Sequence, residues 1–172
     1  MRFLPVPDVL DHLVGEWRVT RTVRDLADGS EGGFAGTTLF SPLPAPDEGG
    51  LLHRESGVFT WRGTGRPAER TLRFLPGEPP GTARVEFADG RFFHGLDLRS
   101  GRHTADHPCA ADRYDGEFEV YDADRWRTRW RVGGPAKDLL LVTDYVRVRV
   151  GAGGRRVTGC PAPSTSPEPP GT

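Results

Sequence analysis

Apolar and polar residues alternate with a period of two along most of the chain. In the clearest stretch, residues 125–132, Trp126, Thr128, Trp130 and Val132 share one face and arginines occupy the other. Because successive side chains of a strand point to opposite faces, this pattern predicts an antiparallel strand with one buried and one solvated face. Similar segments predict nine strands, at residues 17–24, 34–40, 51–61, 71–75, 83–87, 91–98, 116–121, 125–132 and 138–150.

Turn and helix signals complete this picture. Asp89-Gly90 separates two alternating segments and predicts a tight hairpin. Residues 8–14 carry apolar positions at helical spacing, with Asp8 as a cap and Gly15 as a stop, so they predict a single short helix before the first strand. Many short strands with almost no helix predict an all-β fold of eight to ten antiparallel strands, either a barrel or a sandwich.

The chain length of 172 residues suits a single domain, which we place at residues 1–150. From Gly151 onward the composition shifts to Gly, Pro, Ser and Thr. Such a segment cannot bury enough apolar surface to offset the entropy of ordering it, so residues 151–172 are predicted to form a disordered tail.

Charge and composition narrow the expected partners. The formal net charge is −1 and there is no basic block, which argues against nucleic acid. There is no apolar run of membrane-spanning length and no secretory signal, and the two cysteines, Cys109 and Cys160, are far apart. We therefore expect a reduced, cytoplasmic protein with no membrane partner, existing as a monomer or homodimer.

The ends of the strand region favour a barrel over a sandwich. Gly15-Glu16-Trp17 opens the first strand, and Arg147 lies in the last one, with Arg149 at the same parity. This resembles the calycin pattern, in which a Gly-X-Trp at the first strand is covered by an arginine of the final strand. The resemblance implies an up-and-down lipocalin-like barrel with structural roles for Gly15, Trp17 and Arg147. A guanidinium stacked on the indole would close one end of that barrel.

Three longer runs, at residues 91–97, 107–116 and 130–138, show a narrower resemblance. They read RFFHGLD, HPCAADRYDG and WRVGGPAKD. They resemble an uncharacterised bacterial family, a domain of unknown function with a lipocalin-like barrel. The resemblance covers roughly positions 10–150 and implies a fold and candidate site residues, but no reaction.

One cluster of residues could carry chemistry at the rim of the barrel. His107 and Cys109 are two apart and face one side, Pro108 between them indicates an edge or loop, and His94 lies one strand earlier. Three interpretations stay open: acid–base chemistry, a zinc or copper site, or a buried polar network. The candidate catalytic residues are His94, His107, Cys109, Asp112 and Tyr114.

A second set of residues would hold the ligand. Arg21 shares the inward parity of Trp17, and a guanidinium in a lumen must be paired or bind an anion, with Glu55 as its candidate partner. Aromatic side chains and the single lysine complete the candidate ligand-binding set: Arg21, Glu55, Phe59, Trp61, Phe92, Trp130 and Lys137.

These residues favour a barrel that holds a small molecule in its lumen. The leading hypothesis is a cofactor-independent enzyme of lyase or isomerase type, with Arg21 holding an anionic or carbonyl group while the histidines, Asp112 and Tyr114 move protons. Phosphate-loop, dinucleotide and serine-hydrolase motifs are missing from the sequence, so we expect no cofactor. The alternatives are a non-catalytic carrier or sensor of an apolar ligand or haem, and a metal-binding protein.

Overall fold

The computed structural model describes residues 2–149, which form one short helix and ten strands. The elements are α1 (Val9–Leu13), β1 (Gly15–Asp25), β2 (Glu31–Pro42), β3 (Leu51–Trp61), β4 (Thr64–Pro76), β5 (Ala83–Phe87), β6 (Phe92–Leu96), β7 (Arg102–Cys109), β8 (Asp112–Asp122), β9 (Arg125–Gly134) and β10 (Lys137–Arg147).

The strands form one antiparallel up-and-down sheet that curls into a nearly closed barrel. Their order is β6-β5-β4-β3-β2-β1-β10-β9-β8-β7, so that β1 pairs with both β2 and β10. The two outermost strands, β6 and β7, lie side by side, and the His103 side chain of β7 contacts the Gly95 carbonyl oxygen of β6 at 3.0 Å. The predicted all-β lipocalin-like barrel with a short N-terminal helix is confirmed.

Two strands differ from the sequence prediction. β7 was not predicted, because Ala105 is its only buried residue and its apolar positions do not alternate. β4 begins at Thr64, whereas the predicted strand began at residue 71. The first seven residues of β4 were missed because they are mostly exposed and carry no apolar pattern. They are nevertheless paired with the end of β3, where Trp61 lies opposite Thr64.

The N-terminal segment closes one end of the barrel. The backbone amides of Leu4, Val6 and Val9 donate to carbonyl oxygens of the loops and strand ends at that end. Asp8 caps α1 by accepting from the amides of Leu10 and Asp11, at 2.9 and 3.1 Å. The helix thereby places its buried face, Val9 and Leu13, over the core.

The predicted corner between the first and last strands is confirmed. The Arg147 guanidinium lies 4.1 Å from the centroid of the Trp17 ring and donates to the carbonyl oxygens of Val14 and His12 at 2.9 and 2.6 Å. Gly15 has a φ of +111°, and a Cβ there would lie 3.4 Å from Arg147 Nη1, which explains the glycine. Arg149 pairs with Asp124 instead.

The predicted tail at residues 151–172 and Cys160 lie outside the described residues. Within residues 2–149, no helix combines the length and the apolar character needed to cross a bilayer.

Candidate ligand-binding site

The barrel encloses a cavity of about 340 Å³. It extends from the closed end under Trp126 and Tyr145 towards the opposite end, where the turns that follow β1, β3, β5, β7 and β9 lie. Most of its wall surface is aromatic or aliphatic, and its polar side chains come from eight of the ten strands. Closed walls with a few polar groups are typical of small-molecule sites.

An aromatic wall lines the cavity on the side of β6, β8 and β9. The rings of Phe93 and Trp130 are stacked, with centroids 5.3 Å apart and planes 14° apart, and Phe118 meets Trp130 edge-on at 5.7 Å. Gly116 lies directly opposite Trp130, and a Cβ there would lie 2.7 Å from the indole. The glycine therefore lets the indole lie flat against β8, which keeps the lumen open.

Arg21 and Glu55 form a buried ion pair across the lumen wall. Both guanidinium terminal nitrogens of Arg21 donate to the Glu55 carboxylate, at 2.9 and 2.8 Å, and its Nε donates to the Thr143 hydroxyl at 2.8 Å. The two side chains are 13% and 3% exposed. The predicted pairing is confirmed, and it leaves the Arg21 charge neutralised inside the protein.

Arg70 is a second lumen guanidinium, and it has no such partner. It lies opposite Glu55 in the β3–β4 register, so it faces inward, and its side chain lines the cavity although the residue as a whole is exposed. The guanidinium carbon lies 5.7 Å from the Phe93 ring centroid. No hydrogen bond or ion pair to Arg70 is formed by any side chain of residues 2–149. Burial lowers the pKa of Arg70, but an arginine stays protonated in proteins.

His53 is buried beside Arg70 and Arg21. It packs against Phe40 and Phe74, with ring centroids 4.9 and 5.8 Å away. Burial, reinforced by the charges of Arg70 and Arg21, lowers the pKa of His53 to about 3. The ring is therefore neutral at pH 7, and its Nδ1 has no hydrogen-bond partner within the described residues.

His94 also lines the cavity as a neutral imidazole. Its Nδ1 lies 2.7 Å from the Gly95 carbonyl oxygen, and because a carbonyl only accepts, Nδ1 carries the proton. Burial lowers the pKa of His94 to about 4, despite that hydrogen bond. Nε2 is then an unprotonated acceptor on a side chain that is only 4% exposed.

His107, Tyr114 and Cys109 lie nearer the open end. His107 and Tyr114 are directly paired between β7 and β8, with ring centroids 6.1 Å apart, and Cys109 is an exposed free thiol that also lines the cavity. The Phe93 ring contacts both His94 and His107, with centroids 4.7 and 5.2 Å away. The candidate residues therefore share the lumen, but these two histidines are linked through an aromatic ring rather than a hydrogen bond.

Asp112 does not orient a histidine. Its carboxylate lies 2.6 Å from the Lys137 ammonium group, because the β7–β8 and β9–β10 turns bring the two residues together at the rim. The Lys137 side chain, 38% exposed, is therefore already paired, and neither residue is among the side chains that line the cavity. The predicted roles of Asp112 in acid–base chemistry and of Lys137 in ligand binding find no support in this geometry.

Three aromatic residues expected in the lining do not line the cavity. Phe92 is 47% exposed on the outside of the barrel, under the Arg84 guanidinium. A register shift between Val85 and Glu86 turns Phe92 outward. Phe59 and Trp61 face inward but stack on each other near the end of β3, beyond the cavity wall. Of the four aromatic residues predicted to bind the ligand, Trp130 is the one that lies in the cavity wall.

Comparison with protein-family models matches residues 13–147 to one family, described as a family of unknown function, DUF6314. The match covers more than half of the chain. The protein belongs to the DUF6314 family. The predicted resemblance to an uncharacterised family with a lipocalin-like barrel is thereby confirmed, and no curated protein matches the sequence.

Two solved structures are similar to the DUF6314 barrel. The S-type phycobiliprotein lyase CPES from Guillardia theta superposes with a TM-score of 0.62 at 10% identity, covering 86% of this chain and 94% of the lyase. A DUF3598 protein of unknown function from Nostoc punctiforme has a TM-score of 0.45 at 13% identity, covering 86% of this chain and 51% of that protein. At such identities the likeness to the lyase shows the fold alone.

No metal-ligand set is assembled in the part of the DUF6314 barrel that spans residues 2–149. There, no group of three or more His, Cys, Asp or Glu residues converges closely enough to hold an ion. His94 and His107 face aromatic rings, and Asp112 binds Lys137. The metal interpretation of this cluster therefore has no geometric support among these residues.

Five polar residues that line the cavity were not predicted as site residues: His53, Arg70, Thr128, Thr143 and Tyr145. The turn between β3 and β4 could have led to Arg70. In that turn Arg62 and Gly63 have φ angles of +47° and +80°. Two consecutive residues with positive φ are typical of a two-residue hairpin turn. That turn fixes the register in which Arg70 lies opposite Glu55.

Proposed function

We propose that the DUF6314 barrel binds a small, flat organic anion in its lumen, with the anionic group on Arg70 and the rings against the aromatic wall of Phe93, Phe118 and Trp130. The observation that carries this proposal is the lumen-facing guanidinium of Arg70, which has no protein partner among residues 2–149.

Arg21 and Arg70 differ in the partners of their guanidinium groups. Both guanidinium groups face the lumen, but Arg21 is neutralised by Glu55 and held by Thr143, whereas Arg70 is not. A guanidinium that faces a mostly apolar cavity is stabilised when an anion or an acceptor pairs with it. A carboxylate, phosphate or sulfonate that entered the lumen would supply that partner, in the paired geometry that a guanidinium favours.

The size and walls of the cavity limit the rest of the ligand. A volume of about 340 Å³ lies near the lower end of the range of roughly 300–1,000 Å³ for small-molecule sites. One or two fused rings fit this volume better than a haem. Stacked aromatic walls favour a planar ring system, because aromatic pairs add about 0.5–1.5 kcal/mol beyond area burial.

The test compares 2-naphthoate with the neutral, nearly isosteric 2-naphthamide by isothermal titration calorimetry. We expect the folded protein to bind naphthoate more tightly, and Arg70→Gln to weaken naphthoate binding by about 10- to 100-fold, since a hydrogen bond to a charged group contributes roughly 1.5–3 kcal/mol. Naphthamide affinity should be nearly insensitive to this substitution.

Arg54→Gln is the matched control, because Arg54 is an exposed residue on the outer face of β3 and the substitution removes the same charge. It should leave naphthoate affinity within about twofold of the wild type. Equal losses in Arg54→Gln and Arg70→Gln, or equal binding of naphthoate and naphthamide by the wild type, would contradict the proposal.

Acid–base catalysis is a second candidate function, and the neutral His94 favours it. A base that is unprotonated at neutral pH and faces an enclosed cavity is placed to accept a proton from a bound ligand. His107 and Tyr114 are paired on neighbouring strands nearer the open end, but Phe93 separates them from His94, so this candidate function does not use them as a proton relay. Asp112 has no part in this version, since it binds Lys137.

Proton exchange tests this second function. Phenylpyruvate in heavy water, followed by NMR, should exchange its protons next to the carbonyl faster with wild-type protein than in buffer. His94→Gln should reduce the protein-dependent rate by about tenfold or more, because a positioned general base contributes roughly 10²–10⁴-fold. A protein-dependent rate that is equal in the two proteins would exclude His94 as the base.

A further inference from the structure

The hydrogen-bonding state of His94 defines what else the ligand must carry. With Nδ1 donating to the Gly95 carbonyl oxygen, Nε2 is the ring nitrogen left for the lumen, and it can only accept. Within residues 2–149 no hydrogen bond to Nε2 is formed, and Nε2 is not sealed from the cavity that the imidazole lines, although the residue as a whole is only 4% exposed.

The surroundings of His94 give Nε2 no internal partner. The neighbouring rings are those of Phe93, Phe118 and Trp130, with centroids 4.7, 5.2 and 5.4 Å from the imidazole. These rings are also the wall against which a planar ligand would stack. An acceptor enclosed by apolar rings is unfavourable unless a donor reaches it, so this position discriminates between ligands that do and do not bring one.

Arg70 and His94 belong to the same part of the lumen. Both flank Phe93, with the Arg70 guanidinium carbon 5.7 Å from that ring and the imidazole centroid 4.7 Å from it. One face of a bound ring system could therefore meet a cation at one point and a neutral acceptor at another. A single ligand that satisfied both groups would carry an anionic group for Arg70 and a hydrogen-bond donor for His94.

We propose that His94 is a specificity-determining residue that accepts a hydrogen bond from the ligand, so that the barrel selects a hydroxyl- or N–H-bearing aromatic acid over the unsubstituted acid. This inference rests on the proposed function, because it takes the ring system of the ligand to lie on the Phe93–Trp130 wall with its anion on Arg70.

The experiment measures the affinities of 2-naphthoate and its ring-hydroxylated isomers by calorimetry. Wild-type protein should bind at least one hydroxynaphthoate about tenfold more tightly than 2-naphthoate, the ratio expected for one good hydrogen bond in an enclosed site. The methoxy analogue of that isomer keeps the bulk but has no donor, and its advantage should vanish. No preference for any hydroxy isomer, or an equal preference for the methoxy analogue, would overturn the inference.

Two variants test whether His94 causes the preference for the hydroxy isomer. His94→Leu should bring the ratio of the two affinities to about one, whatever it does to 2-naphthoate itself, whereas His94→Gln keeps an acceptor and should keep most of the preference. A ratio that persists in His94→Leu overturns the inference. The ligand-side comparison with the methoxy analogue needs no variant, so it decides the matter even if His94→Leu fails to fold.

The same titrations separate the two proposals. If naphthoate binding depends on Arg70 but no hydroxy isomer is preferred, the lumen is an anion site and only the role of His94 fails. If a hydroxy isomer is preferred through His94 while Arg70→Gln has no effect, the anion site on Arg70 fails instead.

Discussion

Glu55→Ala is expected to destabilise the barrel by about 3–5 kcal/mol, because it leaves the Arg21 guanidinium inside the protein without a counter-charge. Arg21 cannot neutralise itself by losing a proton, and only uncharged side chains, among them Thr143 and Tyr145, would remain beside it. Urea denaturation at pH 7 measures the effect as a fall in the free energy of unfolding. This loss of stability would come from the unpaired Arg21 charge and would not measure the net contribution of the ion pair.

Two variants distinguish this explanation from a general sensitivity of the sheet. Arg24 and Glu31 also form an ion pair that starts from β1, here with the neighbouring strand β2, but their side chains are 58% and 61% exposed. Glu31→Ala should therefore change stability by no more than about 1 kcal/mol. Replacing Arg21 and Glu55 together by leucine should recover most of the loss, since a buried pair is often replaceable by apolar residues.

If Glu55→Ala were no more destabilising than Glu31→Ala, the burial of the Arg21–Glu55 pair would have no energetic consequence. The same result would imply that water reaches Arg21 freely from the lumen. The double leucine variant would then be no more stable than Glu55→Ala.

Acidification from pH 7 to pH 5 is expected to remove about 4 kcal/mol of stability, about 2 kcal/mol from each of His53 and His94. Burial lowers the pKa of His53 to about 3 and of His94 to about 4 in the folded protein, against about 6.5 when unfolded. Below pH 6.5 the unfolded chain therefore binds protons that the folded barrel does not. Each histidine then contributes a loss of about 1.4 kcal/mol per pH unit until its folded pKa is reached.

Urea denaturation at pH 7, 6 and 5 measures this slope. A variant with His53→Phe and His94→Phe should lose the larger part of it, and aromatic replacements suit the ring neighbours Phe40 and Phe74 of His53. His12 and His103, whose pKa values burial also lowers, would supply the residual slope. Equal slopes in the wild type and the double variant would place the acid sensitivity elsewhere.

Alternation predicted an antiparallel all-β fold and part of the lumen, and the resemblance to the calycin pattern favoured a barrel over a sandwich. Parity placed Arg21 and Glu55 on inward faces, and the Gly15–Trp17 motif led to Arg147, because these features depend on one strand or on the pairing of β1 with β10. Such information is local or is fixed by the up-and-down order. The ion pair and the Arg147 corner were therefore predictable.

The errors arose where geometry depends on irregular pairing. A register shift in the β5–β6 pair turns Phe92 outward and leaves both Phe93 and His94 buried, which strict alternation does not predict. Asp112 binds Lys137 because two separate turns meet at the rim. Residue spacing along the chain carries no information about such a meeting.

Arg70 was missed for a different reason. The first half of β4 is exposed and polar, so alternation predicted no strand there and left its register against β3 undefined. Only the complete hairpin, with its turn at Arg62 and Gly63, places Arg70 opposite Glu55 and inside the barrel. The residue on which the proposed function depends was thus the one whose position required the longest-range information.

The pairing order has a mechanical consequence for the lumen. Within residues 2–149, backbone ladders join every pair of neighbouring strands except β6 and β7, which are linked there by His103 and Gly95. Separating any other pair would break a row of main-chain hydrogen bonds, whereas these two strands can move apart by giving up side-chain contacts. The boundary between β6 and β7, here called the seam, is therefore where the circumference of the barrel can change without breaking a backbone ladder. Because His94 of that seam lies in the aromatic wall, an increase in girth would widen the lumen where a ring system would lie.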